Sequence, residues 1–397
     1  MIFTKANIKN FLRDSRKYLF CKGYEEDISK YQYFLFINSK VTNIIDQVYP
    51  PFQKGFFDKD KILILYKHHF ESVKYIRRDL KKYGLHGHCI INYRDIPSVE
   101  GAVWFYTHNS MQNFAVINKN LYSHHVWIGH GDSEKIAYYK KMIRIFDTIL
   151  VTGDKAIERF IEHKIFSERQ RDKFLNIGKW ALCSVMPTEN PLASKSAILF
   201  APTWEGAMVE ENYSTLHLVD EGKLFMKKLL EQYPVDKIVI KLHPNTGIRD
   251  SKLINETKES IEALLSIKKE ILFIAEKGDW VYSWIKEHFK NRLEYQDKLY
   301  DLNEYHFKAG VTNISAMASM VDAEDIPTFV IYDSSIKVQE RVLLSSGIKI
   351  DITSIDKLSS LPTPLKRKRG VISYEEDWEK LDAHEVFKRV LKRINQE

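Results

Sequence analysis

A histidine flanked by two glycines is the main candidate for a catalytic group in this 397-residue sequence. It is His130, in the stretch HVWIGHGDSEK at 125–135, where an apolar run that predicts a strand ends. Glycine on both sides lets the backbone turn sharply and expose the imidazole, which exchanges protons near neutral pH. A histidine packed in an ordinary strand-end turn fits the same local pattern. The residues expected to support this position, with Asp132 or Ser133 capping a following helix, are Gly129, Gly131, Asp132, Ser133 and Lys135.

A second histidine follows another predicted strand, in the sequence KLHP at 241–244. Lys241 and His243 lie two residues apart in an extended stretch, so both side chains can face the same side, and Pro244 fixes the following turn. A cation beside an imidazole suits a phosphate and could neutralise the charge on a leaving diphosphate. A strand exit with a solvated lysine is an equally good structural explanation.

Two further segments place polar side chains at strand ends. In TNIS, at 312–315, hydroxyls and backbone N–H groups at a helix start form an anion site, although an ordinary N-cap looks the same. In FAPTWEG, at 200–206, Trp204 could stack on a base or sugar and Glu205 could hold a hydroxyl, although a buried structural Trp is as common. The candidate ligand-binding residues of these segments are Thr203, Trp204, Glu205, Thr312, Asn313 and Ser315.

All four segments lie at the ends of predicted strands, where open α/β sheets bind their ligands. Short β-branched or aromatic runs alternate with helix-like segments along the chain, which predicts an α/β class with parallel sheets covered by helices. The predicted strands are Tyr33–Ile37, Lys61–Tyr66, His88–Asn92, Ala102–Thr107, Val126–Gly129, Thr148–Thr152, Ala197–Ala201, Lys237–Lys241, Ile271–Ala275, Ala309–Val311, Thr328–Tyr332 and Ile348–Ile352. The predicted helices include Glu134–Ile145, Lys155–His163, Leu216–Gln232, Ser251–Ser266, Val281–His288, Met317–Asp322 and Glu375–Ile394.

The length of the chain predicts two domains, because single hydrophobic cores stop growing near ~250–300 residues. The stretch Trp180–Lys195 has two prolines and weak periodicity, which is typical of a connection between domains. We therefore expect an N-terminal Rossmann-like domain over 1–185 and a C-terminal one over 186–374. The helix predicted within 375–397 has an apolar face, which we expect to pack back on these domains.

The composition excludes several classes of protein. A hydrophobic fraction of 44% with few glycines and prolines excludes collagen-like and disordered chains. Three widely spaced cysteines, Cys21, Cys89 and Cys183, make neither a disulfide framework nor a zinc motif, so we expect a reducing compartment and no structural metal site. No apolar stretch has the ~18–20 residues of a membrane span, and the first residues lack a signal-peptide pattern, so we expect a cytoplasmic protein.

The net charge of +7 suits anionic partners. This charge is spread along the chain without a nucleic-acid-binding module, so we expect no nucleic-acid partner. Near the N-terminus, basic residues alternate with apolar ones at near-helical spacing, which is compatible with a surface helix that lies on an anionic membrane. A solvated basic face packed on the domain by its apolar side is the more common explanation of such a pattern. The basic residues concerned are Lys5, Lys9, Arg13, Arg16 and Lys17, with the run Lys366–Arg369 as a second basic element.

Taken together, GHGDSEK, APTWEG, KLHP and TNIS resemble, in this order and spacing, the CDP-glycerol and CDP-ribitol glycerophosphotransferases of teichoic-acid and capsule polymer synthesis. The resemblance covers Trp104 to Tyr332. It implies a glycosyltransferase-B architecture of two Rossmann-like domains facing across a cleft, with the nucleotide donor bound by the C-terminal domain and the acceptor facing the N-terminal one. It also implies a lipid-linked or glycan-linker acceptor, no cofactor besides the CDP-activated donor, and a peripheral position on the inner face of the bacterial cytoplasmic membrane.

The resemblance also implies roles for individual residues. His130 matches the general base of the family and His243 its second essential histidine. The implied reaction transfers a polyol phosphate, glycerol phosphate above all, to an acceptor hydroxyl and releases CMP. In that reaction His243 and Lys241 would neutralise the departing charge, while Thr312 and Ser315 would bind the donor phosphates.

The chain departs from the family pattern at two motifs. It has TNISA at 312–316 where many members have Thr-Asp-Tyr-Ser-Ser, and His-Gly-Asp-Ser where glycerol polymerases have His-Gly-Thr-Pro. The donor polyol can therefore differ, or the acceptor can be a sugar linker, and the length resembles that of the shorter primer-type members. Two alternatives stay open: a capsule glycosyltransferase or sugar-phosphate transferase with another nucleotide donor, and an anionic-polymer-binding protein without catalysis.

Overall fold

The computed structural model of the chain divides into two compact units. It describes residues 21–395 except positions 22, 24–25, 109, 130, 136–137, 183–185, 187–191, 207–211, 268, 276–279, 298–301, 341, 343–345, 364–371 and 376. The first unit consists of 1–130, 139–183 and 373–397, and the second of 131–138 and 184–372. The segment 131–138, which the sequence placed in the first domain, therefore belongs to the second unit, and the C-terminal segment returns to the first.

A seven-stranded parallel sheet forms the centre of the first unit, in the order β3-β2-β1-β4-β5-β6-β7. The chain starts in the middle of the sheet at β1, builds outward to β3, and then returns to build the other side from β4, as in Rossmann-like folds. These strands are almost continuously apolar and buried because parallel sheets are covered on both faces. They are β1 (Tyr33–Ile37), β2 (Ile62–Lys67), β3 (Gly87–Ile90), β4 (Val103–Tyr106), β5 (His124–Trp127), β6 (Thr148–Val151) and β7 (Phe174–Asn176).

Helices cover the sheet of the first unit. The α-helices are α1 (Ile44–Val48), α2 (Pro50–Gln53), α3 (Val73–Tyr83), α4 (Asn113–Lys119) and α5 (Asp154–Glu162). Helix α3 shows why they form: its apolar residues recur at helical spacing and face the sheet, and Gly84 ends it in the left-handed conformation with φ +63°.

The C-terminal helix of the chain, Ala383–Ile394, packs into the core of the first unit. Asp382 caps its N-terminus, because its carboxylate accepts a hydrogen bond from the backbone N–H of Glu385 at 2.8 Å. The ring centroid of Phe387, which is 2% exposed, lies 5.3 Å from that of Phe56 and 5.8 Å from that of Phe105. The apolar face predicted from the sequence is therefore buried as part of this core.

The second unit repeats the plan with a seven-stranded parallel sheet, in the order β11-β10-β9-β8-β12-β13-β14. Its strands are β8 (Lys195–Ala201), β9 (Lys237–Ile240), β10 (Glu270–Ile274), β11 (Glu294–Gln296), β12 (Tyr305–Thr312), β13 (Thr328–Tyr332) and β14 (Ile348–Asp351). Its α-helices are α6 (Val219–Gln232), α7 (Lys252–Leu265), α8 (Trp280–Phe289), α9 (Ala316–Asp322) and α10 (Lys337–Glu340). The C-terminal helix of the first unit, Ala383–Ile394, is α11.

The two sheets confirm the predicted α/β class with two Rossmann-like folds. Two predicted helices differ from the structure. Over 134–145, the described residues 134 and 135 are not helical and Lys141–Ile145 is a 3-10 helix, so neither Asp132 nor Ser133 caps the predicted helix start. The helix predicted over Glu375–Ile394 begins only at Ala383, because residues 373–375 are extended and hydrogen-bond to the ends of β6 and β7.

Candidate functional site

Three of the four candidate segments follow adjacent strands of the second sheet. Strand β8 is the first strand of this sheet, and its neighbours are β9 on one side and β12 on the other. The chain builds outward through β9 in one direction and through β12 in the other, so the strand order reverses beside β8. Ligands of open α/β sheets bind at such a reversal, at the carboxyl ends of the strands. PTWEG, KLHP and TNIS all lie at these ends.

A buried amide joins the segments that follow β8 and β12. The Asn313 side chain is 0% exposed, and its Oδ1 accepts a hydrogen bond from the backbone N–H of Thr203 at 2.9 Å. Its Nδ2 donates to Thr215 Oγ1 at 2.8 Å and to the Ile331 carbonyl at 3.2 Å. Asn313 therefore fixes the geometry of this edge, and it needs an amide rather than a carboxylate because only an amide can donate to a carbonyl.

The segment after His130 supplies a cation to the same edge. Lys135 Nζ donates to Thr203 Oγ1 at 2.9 Å and lies 5.1 Å from the centroid of the Tyr213 ring. Its backbone N–H donates to Ser133 Oγ at 3.4 Å. Because 131–138 belongs to the second unit, this lysine reaches the end of β8 from a part of the sequence that is about 70 residues away.

Two more contacts hold this segment on the second unit. The Ser319 hydroxyl, from α9, donates to the carbonyl of Asp132. The buried carboxylate of Glu134 accepts from the backbone N–H of Ser346 at 3.2 Å. Residues on both sides of Ser133 are thus anchored, and the position of Lys135 follows from them.

A carboxylate at the end of β8 organises the loop that follows β9. Glu205 is 2% exposed, and it accepts hydrogen bonds from the backbone N–H groups of Gly247 at 3.1 Å, Arg249 at 2.9 Å and Asp250 at 3.1 Å. The Arg249 guanidinium donates to the Glu205 carbonyl at 2.8 Å. Glu205 therefore holds the turn behind KLHP, a role that differs from the hydroxyl contact suggested by the sequence.

His243 lies at the end of β9 and stacks on Trp204. The two ring centroids are 5.2 Å apart and the ring planes differ by 13°. His243 Nδ1 accepts a hydrogen bond from the backbone N–H of Asn245 at 3.1 Å, so the neutral imidazole carries its proton on Nε2. The ring thus has a fixed plane and a fixed donor atom, which is what a group that meets developing negative charge requires.

The remaining predicted donor contacts lie in or beside the same edge. Thr312 and Ser315 are buried, and their hydroxyl oxygens are 3.4 Å apart. The Thr312 hydroxyl donates to the carbonyl of Asn313. Lys241 is half-buried, and its backbone N–H continues the sheet by donating to the Phe200 carbonyl at 2.9 Å. Contacts of these residues with a donor stay predictions.

His130, the predicted base, lies outside the described residues, but the glycines beside it are described. Gly129 has φ +70° and Gly131 has φ +112°, both in the region that favours glycine. The chain leaves the first unit at residue 130 and enters the second at residue 131. Two glycines with positive φ therefore surround the point where the chain changes units.

Several residues of this edge were missed by the sequence reasoning. They contact the predicted residues from loops that are distant in the sequence, and no local motif distinguishes them. They are Tyr213, Thr215, Arg249, Ser319 and Ser346.

Within the described ranges, no group of three or more His, Cys, Asp and Glu side chains has the geometry of a metal site. No helix in the described part of the chain is long and apolar enough to span a membrane.

Comparison with known proteins gives low similarity throughout. No protein-family model and no curated protein sequence matches the chain. Among solved structures, a variant of the wall teichoic acid polymerase TagF has 11% identity and a TM-score of 0.47, with 100% of this chain and 99% of that chain covered. UDP-N-acetylglucosamine 2-epimerase from Rickettsia bellii has 11% identity and a TM-score of 0.44, with 92% of this chain and 96% of that chain covered. Acinetobacter baumannii MurG has 8% identity and a TM-score of 0.37, with 92% of this chain and 95% of that chain covered. At these values the comparisons decide nothing about activity, and the fold assignment depends on the strand order above.

Proposed function

We propose that this protein is a transferase that moves a polyol phosphate, most simply glycerol phosphate, from a CDP-activated donor to a hydroxyl of a lipid-linked or glycan-linker acceptor. One observation carries the proposal. Four segments resemble one transferase family in sequence. Three of them follow the adjacent strands β9, β8 and β12, and the fourth brings Lys135 to the end of β8. A chance resemblance gives no reason for these segments to converge at the ligand-binding edge of one sheet.

The charge and hydrogen-bond donors at this edge suit a diphosphate. Lys135 Nζ donates to Thr203 Oγ1 at the end of β8, and Lys241 follows β9 on the neighbouring strand. His243 presents an Nε2 donor whose direction is fixed by the bond at Nδ1 and by the stacking on Trp204. Two ammonium groups and an imidazole N–H match a ligand with several anionic oxygens.

The proposed reaction is an in-line displacement at the β-phosphorus of the donor. His130 accepts the proton of the acceptor hydroxyl, whose oxygen forms the new bond to the β-phosphorus. The bond between this phosphorus and the oxygen that bridges to the α-phosphorus breaks, and CMP leaves with the bridging oxygen. Lys135, Lys241 and the Nε2–H of His243 stabilise the charge on the leaving CMP. The polyol phosphate is joined to the acceptor by a phosphodiester.

Turnover with a panel of donors tests this function. CMP release is measured from CDP-glycerol, CDP-ribitol and CMP-sugars with a lipid-linked or glycan-linker acceptor, with and without Mg²⁺. We expect release from one CDP-polyol, with a loss of at least about a hundredfold in His130→Ala and in His243→Ala, as is typical of proton-transfer groups. His384→Ala is the matched control, because His384 is exposed on α11. Turnover that survives both substitutions, or that uses only CMP-sugars, contradicts the proposal.

Nucleotide binding tests the role of Lys135 separately from turnover. The affinities of cytidine and CDP are compared by calorimetry in the parent protein and in Lys135→Gln. We expect CDP to lose about tenfold or more in affinity and cytidine to lose little, because hydrogen bonds to charged groups contribute about 1.5–3 kcal/mol. Lys227→Gln, on the exposed face of α6, is the control. Equal losses for both ligands would show that Lys135 acts on the fold of the edge and not on phosphate.

A further inference from the structure

A large aromatic side chain is exposed at the edge of the second sheet that carries KLHP. It is Trp280, the first residue of α8, which is 49% exposed. Strand β10 precedes α8 and pairs with β9, so Trp280 lies at the same carboxyl edge of the sheet as the segment that follows β9. An exposed indole at a ligand-binding edge is a candidate contact for a ligand with a flat apolar face.

Hydrogen bonds fix the position of Trp280 relative to His243. Trp280 Nε1 donates to the carbonyl of Thr246 at 3.2 Å. The Thr246 hydroxyl donates to the carbonyl of His243 at 2.8 Å, and the Thr246 backbone N–H donates to the same carbonyl at 3.0 Å. Thr246 is 0% exposed, and the N–H of the next residue, Gly247, donates to Glu205. The indole is therefore held to the turn that carries the imidazole, so a ligand that stacks on it orders little extra side chain.

Trp204, the residue that the sequence suggested for stacking on a base or sugar, is already stacked within the protein. One face of its ring packs against the ring of His243, with 5.2 Å between the centroids. Trp204 is half-buried, whereas Trp280 is exposed. Trp204 therefore fixes the plane of the imidazole, and Trp280 is the better surface for a ligand.

The neighbouring groups indicate which part of a ligand meets Trp280. Lys241 and His243 precede the turn that holds the indole, and in the proposed reaction they meet the phosphates of the donor. A nucleotide joins such phosphates to a flat aromatic ring, whereas a polyol has no flat face. Every base can stack, so an indole gives affinity without a choice of base. The indole N–H donates to Thr246, and the contact with a base is therefore made by the face of the ring.

We propose that Trp280 is the stacking platform for the nucleobase of the donor. The inference rests on the proposed function, because that function brings the phosphates of a nucleotide to Lys241 and His243. It adds a residue that lies outside the four segments named from the sequence. It also separates two tasks at this edge: the cations bind phosphate, and the indole binds the base.

Calorimetry with nucleotides tests the platform. The affinities of CDP, UDP and cytidine are measured for the parent, Trp280→Phe and Trp280→Leu. We expect Trp280→Leu to lose about tenfold in affinity for each ligand, with the ratio of CDP to UDP unchanged, because it removes the face on which a base stacks. Trp280→Phe keeps an aromatic face and should keep most of the affinity. Tyr122→Leu is the matched control, since this ring is 84% exposed but precedes β5 in the first unit.

Fluorescence measures the same contact without loss of the aromatic ring. CDP should quench more tryptophan emission in the parent than in Trp280→Phe, and thermal unfolding without ligand checks that the variants fold. The platform is overturned if Trp280→Leu binds CDP as tightly as the parent, if Trp280→Leu and Trp280→Phe lose the same affinity, or if CDP quenches the parent and Trp280→Phe equally.

The outcomes also separate the platform from the proposed chemistry. If CDP binding depends on Trp280 but no CDP-polyol yields CMP, the phosphotransfer is wrong and the platform stands. If CMP is released and CDP binding does not depend on Trp280, the platform alone is overturned. A parent protein that binds no nucleotide overturns both.

Discussion

Glu205 provides a quantitative test of how the site is built. Its carboxylate is 2% exposed and accepts three backbone hydrogen bonds from the turn that follows His243. In Glu205→Gln the shape of the side chain is kept, and the amide oxygen can still accept from Arg249 and Asp250. The amide nitrogen then faces the N–H of Gly247, and two donors meet without an acceptor.

The size of this change follows from one lost hydrogen bond to a charged group. Such a bond contributes about 1.5–3 kcal/mol, and a buried donor left unsatisfied costs a similar amount. We expect Glu205→Gln to lower the free energy of unfolding by about 2 kcal/mol and the melting temperature by about 4–8 °C. Turnover should fall as well, because the turn holds the imidazole of His243 through Asn245.

Chemical denaturation and thermal scans measure the effect, with Glu304→Gln as the control. Glu304 forms an exposed ion pair with Lys195 at 2.9 Å, and the side chain of Glu304 is 55% exposed, so its loss should cost less than about 1 kcal/mol. If Glu205→Gln and Glu304→Gln both have the same free energy of unfolding as the parent, the turn does not depend on the carboxylate and the reasoning is refuted.

Three other predictions concern the packing and hydrogen bonds described above. Asn313→Asp should lower the free energy of unfolding by about 1–3 kcal/mol, because a carboxylate then faces the Ile331 carbonyl. Asn313→Ala should be no more active than Asn313→Asp. If both variants are as stable as the parent, the hydrogen bond from Asn313 to Ile331 is contradicted. Phe387→Ala should cost about 3–5 kcal/mol in urea denaturation, whereas Phe70→Ala, at 75% exposure, should cost little; equal effects would contradict the packing of α11. Burial lowers the pKa of His125 from its ordinary value, so in mild acid the unfolded chain binds more protons than the folded chain, and the free energy of unfolding should fall from pH 7 to pH 5. If the free energy of unfolding depends on pH in the same way in His125→Gln, this histidine is excluded as the cause.

The sequence predicted most of the sheet positions, because strands buried on both faces are continuous apolar runs. Lys237–Ile240 and Thr328–Tyr332 are clear examples, and their positions follow from composition alone. The two strands that were missed, Phe174–Asn176 and Glu294–Gln296, are three-residue strands at the sheet edges. So short a segment carries too little periodicity to distinguish it from a loop.

The site was predictable in its motifs but not in the contacts that join them. The helical periodicity over 134–145 predicted a helix, but Glu134 and Lys135 form hydrogen bonds with Ser346 and Thr203, which are distant in the sequence. Tertiary hydrogen bonds outweigh a local helical preference of a few tenths of a kcal/mol per residue. For the same reason Glu205 looked like a ligand contact, although its partners are backbone N–H groups of a turn that no local pattern links to it.

The chemical linkage in the product is the most direct test of the proposed phosphotransfer. The purified protein is incubated with an acceptor and with CDP-glycerol, CDP-ribitol, CMP-sugars or UDP-sugars, and the released nucleotide and the product are identified by chromatography and phosphorus NMR. The account predicts CMP as the released nucleotide and a new phosphodiester in the product. A glycosidic bond in the product, with a nucleotide released from a sugar donor, would contradict it.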